Sequence, residues 1–280
     1  MSDRDDAAAV TNDEAAALME PLTGLIAQAA VATLAVDRTG LQVDGKSDGS
    51  PVTEADMASD RVIATGLARI APRIPALSEE RTHLAARPYE GSFFLIDPLD
   101  GTREFIAGRD EFTVNLALVS HGQPVLGIIA APALGLIWRG VVGRGAERLL
   151  LTADGRTGDA RPIRTRPHPG PGQPWTATVS RSHGDSRTDG FIAARPGAVR
   201  LALGSAVKFG RIAEGGADVY PRLAPTSEWD VAAGQAVVTA AGGTITDSAG
   251  APLCFGTAKR SDFLVPDFIA WGDPKAAAQL

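Results

Sequence analysis

The chain of 280 residues has a single cysteine, Cys254, so no disulfide can form within it and no bridge framework constrains its compartment. As a small apolar side chain, Cys254 is expected in the core. There is no run of about 18 apolar residues, so no segment is expected to span a membrane. The N-terminus, MSDRDDAAAVTNDEAAALME, lacks the basic flank and continuous apolar centre of a signal peptide. Positive charge is scarce as well. The formal net charge is −6, and no basic stripe or aromatic platform is visible, which argues against nucleic acid as a partner. What is present is the composition of a globular protein with ample material for a core. A cytoplasmic location fits these readings, with attachment to the inner face of the membrane left open.

Apolar positions at Ala17, Leu18, Leu22, Leu25, Ile26 and Ala29 recur at helical spacing and predict a helix over about 13–35, with Pro21 as a kink or a start. Thr53 is a credible N-cap for a helix carrying Val62, Ile63, Leu67 and Ile70, ended by Pro72 and Pro75. IPAL and FFLI read as strands. FTVNLALVS, PVLGIIAAP and LGLIWRGVVG read as an antiparallel meander. Residues 152–176, rich in Gly, Pro and Arg, are taken as a join. Beyond it TATVS is a strand, GSAVKFGRIAEGGADVY a helix and then a strand, and WDVAAGQAVVTAAGG a helix closed by a glycine pair. The domains expected are therefore a mobile acidic tail over 1–12, an N-terminal α+β half over 13–150 and a C-terminal α/β half over 151–280. Helices and sheets alternate without a strict βαβ rhythm, which favours a layered sandwich over a barrel or a dinucleotide-binding fold.

The stretch FFLIDPLDGTREF sets the chemical question. An apolar strand runs into Asp97 and Asp100, with Pro98 stiffening the turn between them, and Gly101-Thr102 opening a helix. Glu79 closes the preceding apolar stretch. If the two stretches are neighbouring strands, Glu79, Asp97 and Asp100 emerge at one sheet edge. Carboxylates gathered this closely repel unless a proton or cation joins them, and oxygen donors of this kind suit magnesium. A helix starting near Thr102 would add N-terminal amides for an anion. Each piece alone has an ordinary explanation. Asp-Pro-Leu-Asp-Gly could be a simple turn, Glu79-Glu80 a solvated pair, and Asp230 an acid complementing a helix dipole. Their combination is what points to a site.

DPLDGTREF resembles the first signature of the inositol-monophosphatase-like, lithium-sensitive, magnesium-dependent phosphatases, and EWDVAAGQAVVTAAGG resembles the second. SPVTEAD, LSEE, EFTVNLALV, SRSH, GSAVKF and YPRLAPTSEWD bring the likeness closer to the 3'(2'),5'-bisphosphate nucleotidase branch. The likeness covers about residues 45–265 in order. It implies a layered α-β-α-β-α sandwich, and magnesium ions, two or three per site, held by Glu79, Asp97, Asp100, Asp230 and the Leu99 carbonyl. It implies that Asp56 and Thr102 activate the attacking water, with Glu79 as an alternative partner for Thr102. Gly101, Thr102, Ser182, His183, Ser205, Lys208, Arg222 and Asp230 are implied to hold the substrate. Lys208 and Arg222 suit a phosphate that is not cleaved.

The implied reaction is removal of the 3'-phosphate from adenosine 3',5'-bisphosphate or its sulfated relative, in the context of sulfur assimilation. An inositol or sugar phosphatase is the alternative within the same fold. A non-catalytic, metal-dependent nucleotide-binding regulator is a third reading, opposed by the presence of Asp56, Glu79 and Thr102. The oligomeric state stays open between monomer and homodimer. Residues 82–90 carry no usable pattern, and the acidic tail looks added.

Overall fold

A computed structural model describes residues 9–39, 43–45, 51–84, 91–182, 184–256 and 263–278. His183 and residues 1–8 lie outside them. The acidic start is anchored earlier than expected: the Val10 amide donates to Ser92 Oγ at 2.9 Å, and Thr11 caps the first helix. That helix, α1 (Asn12–Leu34), begins with a Thr11/Glu14 capping box, so Pro21 sits inside it rather than at its start. In length and hydropathy α1 would suffice to cross a membrane. Its apolar residues, from Ala15 and Met19 to Leu22, Ile26 and Ala30, are instead buried in the core. An antiparallel pair, β1 (Val43–Gly45) and β2 (Pro51–Thr53), leads into α2 (Glu54–Ile70), which Thr53 caps.

Next come β3 (Ala76–Ser78), a 3-10 segment over Glu79–Leu84, β4 (Ser92–Asp100) and the short α3 (Thr102–Ile106). The meander follows as β5 (Thr113–Ser120), β6 (Gln123–Ala131), β7 (Leu136–Val141), β8 (Gly145–Leu150) and β9 (Arg161–Ile163). Together they form a seven-stranded sheet in the order β3 to β9, parallel at β3–β4 and antiparallel elsewhere. β9 falls within the segment read as a join, and it extends this sheet past residue 151.

The remainder comprises β10 (Thr176–Ser180), α4 (Ser186–Ala193), β11 (Val199–Leu203), α5 (Val207–Ala213), β12 (Val219–Arg222), β13 (Thr226–Ser227) and α6 (Glu228–Ala240). β14 (Thr244–Thr246), β15 (Leu264–Val265), β16 (Phe268–Trp271) and α7 (Pro274–Ala277) complete it. A five-stranded sheet runs β11-β10-β12-β16-β14, and β13 pairs with β15.

Strand alternation sorts the core. Phe94 and Ile96 of β4 face α1 and α2, together with Leu116, Leu118 and Ile128. Phe93 and Leu95 face the other way, toward Phe209 and Ile212 of α5, Val231 and Val237 of α6, and Tyr220 and Phe268 of the second sheet. Both faces of β5 are therefore covered, and all eight of its residues are buried, which is why it reads as a continuous apolar run. Ile192 and Ala276, from α4 and α7, pack outside the second sheet against Ile269 and Trp271. The layers are α1/α2, sheet, α5/α6, sheet, α4/α7, the expected α-β-α-β-α sandwich.

Cys254 departs from expectation and is exposed. Its neighbours Leu253 and Phe255 are the ones turned into the core.

Candidate active site

β3 and β4 are indeed parallel neighbours, with Ser78 opposite Ile96, so Glu79 leaves β3 beside Asp97. The acidic stretch is not a turn after the strand, however. β4 continues to Asp100, and Asp97 pairs with Asn115 while Asp100 pairs with Thr113, so β4 advances one residue further than β5 between these points. Pro98 and Leu99 occupy this bulge, and an irregularity of this kind re-aims side chains at a sheet edge. Asp97 is 1% exposed, and its Oδ1 accepts from the Leu99 amide at 3.0 Å.

Asp100 Oδ2 lies 3.4 Å from both Thr113 Oγ1 and Asn115 Nδ2. Burial, and next the charge of Asp230, push the Asp100 carboxyl up to about 6. Its own positive neighbours, Lys208 and Arg222, offset part of that.

Asp56 stands in the first turn of α2, at the third helical position of the Thr53 capping box. Its Oδ2 accepts from Thr53 N at 2.8 Å and from Thr53 Oγ1 at 2.7 Å. That leaves Oδ1, which lies 3.0 Å from Thr102 Oγ1, while the same hydroxyl is 3.2 Å from the Leu99 carbonyl. The structure thus places Thr102 against Asp56. Asp230 enters from the second half by the same device, as the third residue of α6 in a capping box, with Oδ2 accepting from Ser227 N at 3.2 Å and from Thr226 Oγ1.

Gly101 joins β4 to α3 in the left-handed region, at φ 91°, and a Cβ there would lie 2.1 Å from Ser205 Oγ. α3 has only five residues, so the dipole argument made from sequence reduces to the amides of one turn.

The substrate-side candidates divide. Glu79, Asp100, Gly101, Thr102, Ser205, Lys208, Arg222 and Asp230 line one cleft of about 180 Å³. Ser205, itself at φ 49°, has its hydroxyl on the Asp100 and Glu111 carbonyls, at 2.9 and 3.0 Å. Lys208 is buried, donates to the Ser205 carbonyl at 2.6 Å and stands over the Tyr220 ring. Burial pushes its pKa down to about 8, against the pull of Asp100. Arg222 keeps its Nε without a hydrogen-bond partner. Burial opposes its charge, but Tyr220, Asp230 and Asp100 outweigh it and hold the pKa above its usual value. Ser182 is exposed and outside the lining, its hydroxyl on Glu104.

Glu104 and Tyr220 line the cleft without having been anticipated. For Tyr220 the spacing offered the signal, since it lies two residues before Arg222 on the same face of β12; Glu104, two residues past Thr102 on a helix, had no such signal.

Among the described residues no three acidic, His or Cys side chains converge as a ready ligand set. Asp97 and Asp230 each turn an oxygen to a local backbone amide. The donor chemistry still fits a hard divalent cation. Glu79, Asp97, Asp100, Asp230 and the Leu99 carbonyl offer oxygen alone, and the Asp100 carboxyl, raised by burial and then by Asp230, carries a buried negative charge that a cation would offset.

Residues 14–276 match the model of the inositol monophosphatase family. The chain belongs to that family. It is 38% identical over 235 residues to the 3'(2'),5'-bisphosphate nucleotidase CysQ of Shigella flexneri, spanning 81% of this chain and 88% of that protein. Identity to the Escherichia coli K12 protein of the same name is 38% over 230 residues, with the same coverage. Among solved structures, CysQ from Bacteroides thetaiotaomicron superimposes with a TM-score of 0.72 at 31% identity, covering 93% of this chain and 97% of that one. The Thermotoga maritima IMPase, at 23% identity and a TM-score of 0.71 over 93% of this chain and 95% of that one, shares the fold.

Proposed function

We propose that the chain is a magnesium-dependent 3'(2'),5'-bisphosphate nucleotidase that hydrolyses adenosine 3',5'-bisphosphate to AMP and phosphate. The hydrolytic chemistry rests on one observation, the Thr102 Oγ1–Asp56 Oδ1 hydrogen bond of 3.0 Å at a cleft lined by Glu79, Asp100 and Asp230. The nucleotide follows from identities of 38–39% to nucleotidases over four fifths of the chain.

Glu79, Asp97, Asp100, Asp230 and the Leu99 carbonyl would hold magnesium, which when bound supplies Lewis-acid polarisation and charge neutralisation at the phosphoryl group. Asp56, fixed by its two bonds to Thr53, accepts the Thr102 proton at Oδ1. Thr102 Oγ1 in turn takes a proton from the attacking water. Water oxygen bonds to phosphorus, the bond from phosphorus to the ribose 3'-oxygen breaks, and that oxygen takes a proton from solvent water as it leaves, while the proton held on Asp56 returns to solvent. Arg222, which lines the cleft, donates to the phosphate that stays. Lys208, already bonded to backbone carbonyls, serves as a fixed positive charge beside Asp100.

A phosphate-release panel with magnesium tests the reading. Adenosine 3',5'-bisphosphate is expected to be turned over in preference to inositol 1-phosphate and sugar phosphates, and faster turnover of inositol 1-phosphate would move the assignment to that substrate.

A further inference from the structure

Two acids outside the proposed metal set bind the halves of the cleft together. Thr102 and Glu104 lie on α3, and Glu111 lies just before β5, so both acids belong to the segment that follows the Asp97–Asp100 bulge. Their side chains bond to the other side of the cleft. Glu104, buried, accepts from the Ser182 hydroxyl at Oε1. Glu111 Oε2 is 2.7 Å from Arg181 Nη1 and accepts from the Gly204 amide at 2.9 Å, and its carbonyl accepts from Ser205 Oγ at 3.0 Å.

The partners sit at one place in the fold. β10 and β11 are parallel and end at Ser180 and Leu203. Arg181 ties those ends together, its amide donating to the Leu203 carbonyl at 3.2 Å and its Nη2 to the Ala202 carbonyl at 2.9 Å. The crevice beyond the carboxyl ends of parallel strands is where open α/β sheets take ligands. Gly204 is pressed into this junction, where a Cβ would lie 2.4 Å from the Glu111 carbonyl and 3.1 Å from Glu104 Cγ.

A carboxylate is costly in an anion-binding cleft, and Glu104 lines this one, where it repels phosphate. Arg181 is committed to neutralising Glu111, so it is not available as a phosphate ligand. A bridge that occupies an arginine close to an anion-binding cleft is explained by what it holds in place.

We propose that Glu111 and Glu104 are positioning residues for nucleotide selection. They clamp the carboxyl ends of β10 and β11 to the segment carrying Thr102, and so set affinity for the nucleotide part of the substrate rather than the rate of phosphoryl transfer. The inference rests on the nucleotidase reading above.

The test is a steady-state comparison of wild type, Glu111→Gln, Arg181→Met and the double variant with magnesium, using adenosine 3',5'-bisphosphate and p-nitrophenyl phosphate, a phosphomonoester without a nucleoside. Each single variant is expected to raise KM for the bisphosphate about tenfold with kcat held within about threefold, the signature of lost binding common to ground and transition states. The double variant is expected to be no worse than either single one, because both remove one interaction. kcat/KM for the small ester stays at the wild-type value. Additive effects, a fall in kcat with KM unmoved, or equal losses on both substrates overturn the proposal. Should Glu111→Gln fail to fold, by circular dichroism and thermal unfolding, Glu111→Asp and Arg181→Lys replace it, and a wild-type KM in both overturns the proposal. A wild-type enzyme that releases no phosphate from the bisphosphate overturns the nucleotidase reading and this proposal with it, an outcome distinct from any of the variant results.

Discussion

At the scale of single residues, the site economises on anchors. Asp56 and Asp230 each cap the helix that carries them with one oxygen, Asp56 thereby presenting its other oxygen to Thr102. Thr102→Ala removes the hydroxyl of that pair and is expected to lower kcat by about 10²–10³ with thermal stability unchanged, whereas Thr102→Ser restores most of the rate. Phosphate release and a melting curve check both halves of the expectation; equal loss in the serine variant would remove Thr102 from the proton path. Asp100 illustrates the opposite balance, function maintained against stability. Its buried carboxyl faces Asp230, so in the metal-free protein Asp100→Asn should raise the melting temperature while abolishing turnover. A metal-free Asp100→Asn protein melting below wild type would contradict this.

At the scale of elements, the segment between the sheets shows what the sequence could not reveal. Its Gly, Pro and Arg content reads as a loose join, because nothing local in such a stretch specifies a partner. In the fold it is fastened at several points: β9 pairs with β8, the Thr165 amide donates to the Ala241 carbonyl, and His168 Nδ1 meets Asp273 at 2.8 Å. The firmest tie is Arg166 to Asp218, a bidentate pair of 2.6 and 2.8 Å, with Asp218 also accepting from the Thr176 amide at 2.6 Å. Asp218→Asn should therefore cost about 2 kcal/mol, less than a wholly buried pair because the arginine is partly solvated, and urea denaturation measures it. An unchanged midpoint would mean that the Arg166–Asp218 pair contributes no stability. The helix start at Thr53, by contrast, was legible in sequence; the start at Ser227 was not read there, although Asp230 stands at the same three-residue spacing from it as Asp56 from Thr53. The bulge at Pro98-Leu99 was not, since it exists only relative to the register of β5.

At the scale of the whole molecule, the five layers follow from strands buried on both faces, which the sequence displays as continuous apolar runs such as FFLI, with Phe93 and Leu95 turned to one core and Phe94 and Ile96 to the other. The bridges between the halves, Glu104 to Ser182 and Glu111 to Arg181, span 78 and 70 residues and left no periodic trace. Other long-range acids set the response to pH. Arg139 holds Glu20 below its usual 4.5. Asp267 and Asp273 are held below 3.8, burial being outweighed by the Ser248 amide and Arg187 in the first case and by the Lys275 amide and His168 in the second. For each of these groups the native state binds fewer protons than the unfolded chain. Their stabilisation is therefore complete above the ordinary values and is lost as pH falls through the lowered native ones. Asp100 is shifted in the other direction, so the Asp100→Asn variant is the background in which to see them. In it, the melting temperature should hold level down to about pH 5 and then fall steadily toward about pH 3. Replacing Asp267 and Asp273 by Asn should lower the plateau and flatten the descent, and a descent of unchanged steepness would show that acid unfolding is governed by other carboxylates.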